Sequence, residues 1–318
     1  MQTKNSEKIV VVGFGWVGQA NALALKTLGY DVYYFDPATP PHHYTAHADT
    51  YAKIPRLASV SEQDSDNTWY MVCVGDRVSD DGVQDISNIE KALSSLKGLK
   101  GGVILRSTIL PELLTKLPFD YYVPEFLHEK LAVEECLDPY FFVLGVRDSK
   151  KTEPDFFSLW SSRARKVFRG TPEEASLIKY LSNLWNSVRI AFVNEFGNAI
   201  GYPSTEKELN RINDIMGFMF DHRSYLRYGR AFGGHCLPKD TRAFMGWYGK
   251  KIPMPLLKGV YESNSIHQEL EKKYSLLPEW YSRWPDRYIS GQRALKELRA
   301  VAHKYATNPA LIWKRIVG

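Results

Sequence analysis

Cysteine is scarce in this chain of 318 residues: there are three, Cys73, Cys136 and Cys236, widely spaced. They form no metal-ligand pairs and no disulfide framework, which excludes a small secreted scaffold and a zinc module and suits a reducing cytoplasm. Long apolar runs are missing as well. No segment approaches 18 apolar residues and no apolar h-region opens the chain, so neither a membrane span nor a signal peptide is expected. Charge of one sign is nowhere concentrated. The formal net charge of +5 fits anionic ligands, and without a dense basic run it does not call for nucleic acid. Internal repeats and low-complexity segments are absent. What is left, 44% hydrophobic and 24% charged residues, is an ordinary soluble globular composition with length for about two domains.

The informative residues begin with glycine. In "KIVVVGFGWVGQANALALKTLGYDVYYFD", Ile9 to Val12 form a short β-branched run that reads as a buried strand. Gly13, Gly15 and Gly18 follow as G-x-G-x-x-G, and Ala20 to Leu28 are helix formers ended by Gly29. Glycines at this spacing allow a tight turn, close backbone approach to a pyrophosphate, and helix-on-strand packing, with the helix N-terminus facing the phosphates. Asp36 ends the next apolar run, near the offset at which an acid meets the ribose hydroxyls. It argues for NAD over NADP, because a carboxylate repels a 2′-phosphate and residues 37–48 contain no Arg or Lys.

Further apolar runs, "WYMVCVG", "GGVILRST", "DYYVPEF", "YFFVLGV" and "ARKVFRG", alternate with helical patterns. The expected class is α/β: a Rossmann-type doubly wound parallel sheet over residues 1–170, with ligands at the carboxyl ends of its strands. Ser107, Thr108 and Glu125 sit at such ends. From Thr171 an all-helical domain is expected over 171–265, then a basic, aromatic helical tail over 266–318. Thr171 reads as an N-cap with Pro172 at N1 and acids in the first turn. Lys179, Asn183 and Asn186 recur on one helix face amid Leu177, Leu181, Leu184 and Trp185. On spacing alone that polar face reads as a solvated stripe.

The crowded turn "GRAFGGHCLPKDTRAF" at 229–244 places Cys236 behind a glycine pair, with His235 and Lys239 close by. An isolated cysteine is usually a buried structural residue. A dinucleotide-binding unit in the same chain changes the comparison, since a thiolate adding to a carbonyl, followed by loss of hydride, leaves a thioester that water hydrolyses.

Here the sequence resembles the UDP-glucose/GDP-mannose dehydrogenase family, which oxidises a sugar-nucleotide alcohol to a carboxylate in two NAD-dependent steps. "VVVGFGWVG" and "FDP" resemble its NAD site, which would involve Gly13, Gly15, Trp16, Val17, Gly18 and Asp36. "VCVGDRVSDDGVQDIS" follows a strand-and-loop element carrying Val74, although the family's Pro-Thr-Pro is here Gly75-Asp76-Arg77. "RSTI" supplies Ser107 beside the cofactor and Thr108 as a water-binding residue. "PEFLHE" supplies Glu125 or Glu129 as proton acceptor. "IKYLSN" with "FVNE" supplies Lys179 and Asn183 as oxyanion donors. "FGGHCLPKDT" supplies Cys236 as nucleophile and Asp240 as partner of the hydrolytic water. Lys239 would touch substrate or support the loop.

The resemblance implies NAD as cofactor, a nucleotide-diphosphate sugar or related sugar as substrate, a homodimer in the cytoplasm, and no metal, nucleic acid or membrane partner. The chain departs from the family after its nucleophile loop: 74 residues follow Phe244, without the alternation of a second Rossmann-like domain. Residues 266–318 hold ten Lys or Arg against five Asp or Glu, and Trp280, Trp284, Arg283, Arg287 and Arg293 would either meet a nucleotide or pack the tail. Two alternatives stay open: a non-catalytic NAD-binding relative, and an enzyme like a β-hydroxyacid dehydrogenase, which leaves Cys236 unexplained.

Overall fold

The computed structural model describes residues 7–128, 131–148, 151–201, 203, 205–220, 228–233 and 236–274. Seven strands form one sheet in the order β2-β1-β3-β6-β7-β8-β9. They are β1 (Lys8–Val12), β2 (Asp31–Phe35), β3 (Thr68–Val72), β6 (Gly102–Leu105), β7 (Tyr121–Tyr122), β8 (Phe141–Val146) and β9 (Lys166–Gly170). A separate small hairpin joins β4 (Arg77–Val78) to β5 (Gln84–Asp85). Along β1 the side chains alternate between two cores. Ile9 and Val11 join Leu23, Met71 and Ile104 on one side; Val10 and Val12 join Tyr70, Val72 and Leu93 on the other. A sheet covered on both faces needs such unbroken apolar strands.

The expectation of a wholly parallel sheet needs one correction, because β7 and β8 run antiparallel, with Tyr121 opposite Val146. Among the described residues their connection carries α5 (Ala132–Leu137), six residues long. α1 (Trp16–Thr27) follows β1 directly, and the sheet's order reverses between β1 and β3, the place where sheets of this kind meet ligands at the carboxyl ends of their strands.

Beyond the sheet the helices are α7 (Pro172–Ile200), α8 (Glu206–Phe220), α9 (Cys236–Tyr248) and α10 (Pro255–Tyr274). The start of α7 is a capping box, as Thr171 leads one to expect: Thr171 N donates to Glu174 Oε2 at 2.8 Å, and Glu174 N donates to Thr171 Oγ1 at 3.2 Å.

Two compact units divide the chain. The first holds residues 1–187 and 233–258. Within it α9 lies against the β4–β5 turn, where the backbones of Gly82 and Gly246 nearly touch; a Cβ on Gly246 would stand 2.6 Å from the Gly82 carbonyl oxygen. The second unit holds residues 188–232 and 259–318, with a core of Val193, Leu209, Ile212, Met216 and Tyr228. There Asn194 takes the Gly229 N–H at 3.0 Å and donates to the Arg230 carbonyl at 2.6 Å, satisfying an irregular segment of backbone. The tail beyond 274, with its tryptophans and arginines, lies outside the described residues.

Candidate active site

The glycine turn between β1 and α1 is built as its spacing requires. Gly13 has φ +88°, and a Cβ there would stand 2.9 Å from Val74 Cγ2 and 3.1 Å from the Cys73 carbonyl oxygen. A Cβ on Gly18 would overlap the Gly13 carbonyl oxygen, so only glycine lets α1 pack so close to β1. Gly15 differs: a Cβ there would meet no protein atom within 4 Å, which leaves an approach to the backbone N–H groups at the start of α1. Asp36 holds the turn, accepting from Phe14 N at 2.7 Å and Ala38 N at 2.9 Å. Trp16 stacks on His43 with centroids 4.0 Å apart, and Val17 opens the helix beside it. Ser107 Oγ donates to the Val74 carbonyl at 2.5 Å, tying the ends of β3 and β6. Open space at Gly15, an acid at the end of β2 and a helix N-terminus together fit a dinucleotide.

A chain of buried polar groups also runs through the first unit. Glu125, just past β7, accepts from Leu127 N at 2.8 Å and faces the Lys179 ammonium of α7 at 3.4 Å. Lys179 reaches Asn183 Oδ1 at 3.4 Å, one helical turn on. Asn183 Nδ2 donates to Asp240 Oδ2 of α9 at 2.6 Å. The other oxygen, Asp240 Oδ1, takes Lys239 Nζ at 2.6 Å, and the same ammonium donates to Asp76 at 2.8 and 3.0 Å. Gln84 closes the series, giving its amide N–H to Asp76 Oδ2 at 2.6 Å and to the Thr108 carbonyl at 3.0 Å. Its Oε1 accepts from Leu110 N at 2.8 Å.

These side chains are deeply enclosed; Asp240 is 1% exposed. The reading of the α7 polar face as a solvated stripe is therefore wrong for Lys179 and Asn183. Its Leu181 and Trp185 are the exposed ones, at 68% and 56%. Burial opposes the charge of Glu125, yet Lys179, the Leu127 N–H and the Arg106 guanidinium outweigh it and hold its carboxyl below the usual range. Burial likewise opposes the Lys239 ammonium, and the Asp240 and Asp76 carboxylates overcome it, raising its pKa.

Cys236 opens α9, three and four residues before Lys239 and Asp240, and is the one exposed cysteine. The residue is open to solvent while its sulfur stands among dense neighbours. Desolvation, helped by Glu125 and Asp240 and opposed by Lys179 and Lys239, pushes its thiol up to about 11. Burial is the main cause that pushes the Cys73 and Cys136 thiols up to about 12.

Thr108 joins through its carbonyl with its side chain half-buried. Glu129 and His235 lie outside the described residues. Sequence reasoning missed Asp76, Gln84 and Arg106 as members of this network. For Asp76 a signal existed, the acid in place of the threonine of Pro-Thr-Pro; for Gln84 and Arg106 there was none. No group of three or more His, Cys, Asp or Glu among the described residues would hold a metal ion, and no described helix is long and apolar enough to cross a membrane.

A family model of the UDP-glucose/GDP-mannose dehydrogenase central domain matches residues 173–266. The chain is 27% identical over 319 residues to the GDP-mannose 6-dehydrogenase of Pseudomonas aeruginosa, covering 85% of this chain and 70% of that protein. Against the UDP-glucose 6-dehydrogenase of Campylobacter jejuni it is 30% identical over 213 residues, 61% of this chain and 53% of the other. Its fold is that of a UDP-glucose dehydrogenase from Pyrobaculum islandicum, with a TM-score of 0.69 at 23% identity over 86% of this chain and 73% of that one. A GDP-mannose dehydrogenase of Pseudomonas aeruginosa, solved as a ternary complex, superposes with a TM-score of 0.57 at 25% identity over 81% of this chain and 68% of that one.

Proposed function

We propose that the chain is a member of the UDP-glucose/GDP-mannose dehydrogenase family and that it oxidises the primary alcohol of a nucleotide-diphosphate sugar to the carboxylate with NAD. One observation carries the reading. Glu125, Lys179, Asn183 and Asp240, from three separate parts of the chain, are joined in one buried network beside an exposed cysteine. Buried ion pairs add little net stability, so a cluster of them beside that cysteine points to chemistry.

NAD, when bound, accepts one hydride in each of two oxidations. Gly13, Gly15, Gly18 and Asp36 would hold it, and the Asp36 carboxylate favours NAD over NADP. In the first oxidation the substrate hydroxyl gives its proton to a carboxylate, a role that Glu125 would fill. Cys236 then adds through sulfur to the aldehyde carbon. As the C–S bond forms the thiol proton passes to the carbonyl oxygen, and the resulting thiohemiacetal oxygen is met by the Lys179 ammonium and by the second N–H of Asn183 Nδ2. Loss of hydride, with the hydroxyl proton passing to a carboxylate, leaves a thioester. Water held by Asp240 and Thr108 attacks its carbonyl, the C–S bond breaks, and the carboxylate departs from a restored Cys236. Glu129 remains a candidate for the same proton-accepting role as Glu125. The exposed face of α7 would be covered by a second copy of the chain, giving a homodimer.

The test is a screen of sugar nucleotides and free sugars for NAD reduction. Two NADH per substrate are expected. One NADH per substrate fits the β-hydroxyacid dehydrogenase alternative, and none across the screen, with NAD still bound, fits the non-catalytic one.

A further inference from the structure

Asp76 occupies the loop between β3 and β4, where the family resemblance leads one to expect threonine. Its side chain is almost fully enclosed, and its two oxygens are taken by the Lys239 ammonium and the Gln84 amide. Lys239 in turn bridges to Asp240. Two carboxylates and one ammonium thus form a closed triad with a net charge of one negative unit. It stands one helical turn from Cys236, since residues three and four apart share a helix face. The charged groups around the sulfur are Glu125 from the end of β7, Lys179 from α7, and Lys239 and Asp240 from α9. Asp76 enters this set through Lys239.

We propose that Asp76 is a positioning residue that clamps Lys239 onto Asp240 and thereby sets the charge seen by Cys236. The proposal rests on the reading of Cys236 as the nucleophile. With threonine at residue 76 the triad would reduce to a neutral Lys239–Asp240 pair, and the thiolate would form more readily. With Asp76 present, the free thiol is held back, and Lys239 is fixed where it keeps Asp240 oriented toward Asn183. The arrangement protects an exposed cysteine from adventitious alkylation or oxidation before substrate arrives.

The experiment is the rate of Cys236 alkylation by iodoacetamide from pH 6 to 10, followed by intact-protein mass, with Cys236→Ser as blank. Asp76→Asn takes the triad from one negative charge to none and should alkylate on the order of fivefold faster at pH 8. Lys239→Met takes it to two negative charges and should alkylate slower by a similar factor. The double variant restores one negative charge and should return close to the wild-type rate, and Asp76→Glu should match wild type. A loop tether without electrostatic consequence would change thermal stability but leave the alkylation profiles superimposed, and that result would overturn the proposal. Labelling of all three cysteines in both Asp76→Asn and Asp76→Thr would make Asp76 a requirement of folding and would overturn it equally. Alkylation needs no turnover, so absence of NADH production would end the catalytic reading without altering this outcome.

Discussion

Replacing Lys179 by methionine should expose how the site is held charged. The ammonium stands 3.4 Å from Glu125 Oε1, and both side chains are enclosed, at 4% and 10% exposure. At an effective dielectric near 20 the attraction is about 5 kcal/mol, most of it offset by desolvation in the intact pair. Methionine fills the space and removes the charge, leaving Glu125 with only the Leu127 N–H and Arg106 against its burial. Breaking such a pair from one side costs about 3–5 kcal/mol at neutral pH. For a unit of this size that is on the order of 10 °C in Tm. The pH dependence gives the sharper test. In the native chain the Glu125 pKa is lowered, so its contribution is present above the ordinary carboxylate pKa and is lost as pH falls through the folded value. In the variant burial dominates and the pKa is raised, so the penalty is full at neutral pH and relieved as the carboxyl takes up a proton on acidification. Differential scanning calorimetry of both proteins from pH 4 to 8 should show a gap that narrows toward acid. A gap that is constant, or that widens as pH falls, would refute the charge pairing inferred for Glu125 and Lys179.

Cys236→Ser should lower NADH production by several orders of magnitude with NAD affinity intact by calorimetry; near wild-type turnover would end the thioester route. Asp240→Asn should slow hydrolysis, so that a substrate-sized mass accumulates on Cys236 in intact-protein mass spectra. Gly15→Ala should weaken NAD binding about tenfold or more with little change in Tm, because its Cβ would enter open space at the phosphate turn, whereas Gly18→Ala should destabilise through overlap with the Gly13 carbonyl. Gly246→Ala should push α9 off the β4–β5 turn, costing about 1–3 kcal/mol in urea melts and lowering kcat through displacement of Lys239 and Asp240.

Much of this was legible in the sequence because it is local. The turn after β1 needs glycine at fixed spacing, and Thr171 with Glu174 writes the start of α7 within four residues. What sequence spacing could not give was the face that α7 buries. Leu177, Leu181 and Trp185 make an apolar stripe that the hydrophobic effect alone would turn inward, yet they are exposed while Lys179 and Asn183 are enclosed. The reason lies 57 residues away, where Asp240 offers Asn183 an acceptor, and across the sheet, where Glu125 offers Lys179 a counter-charge. The same distance hid Asp76, which on spacing reads as a solvated loop acid and whose partner Lys239 is 163 residues on. Only close approach of α9 to the β4–β5 turn, set by two glycines, brings that pair together. A polar pair buried on that face is thus a physical signal in its own right: an enclosed ammonium and amide cost stability unless each finds a partner, and Glu125 and Asp240 supply those partners.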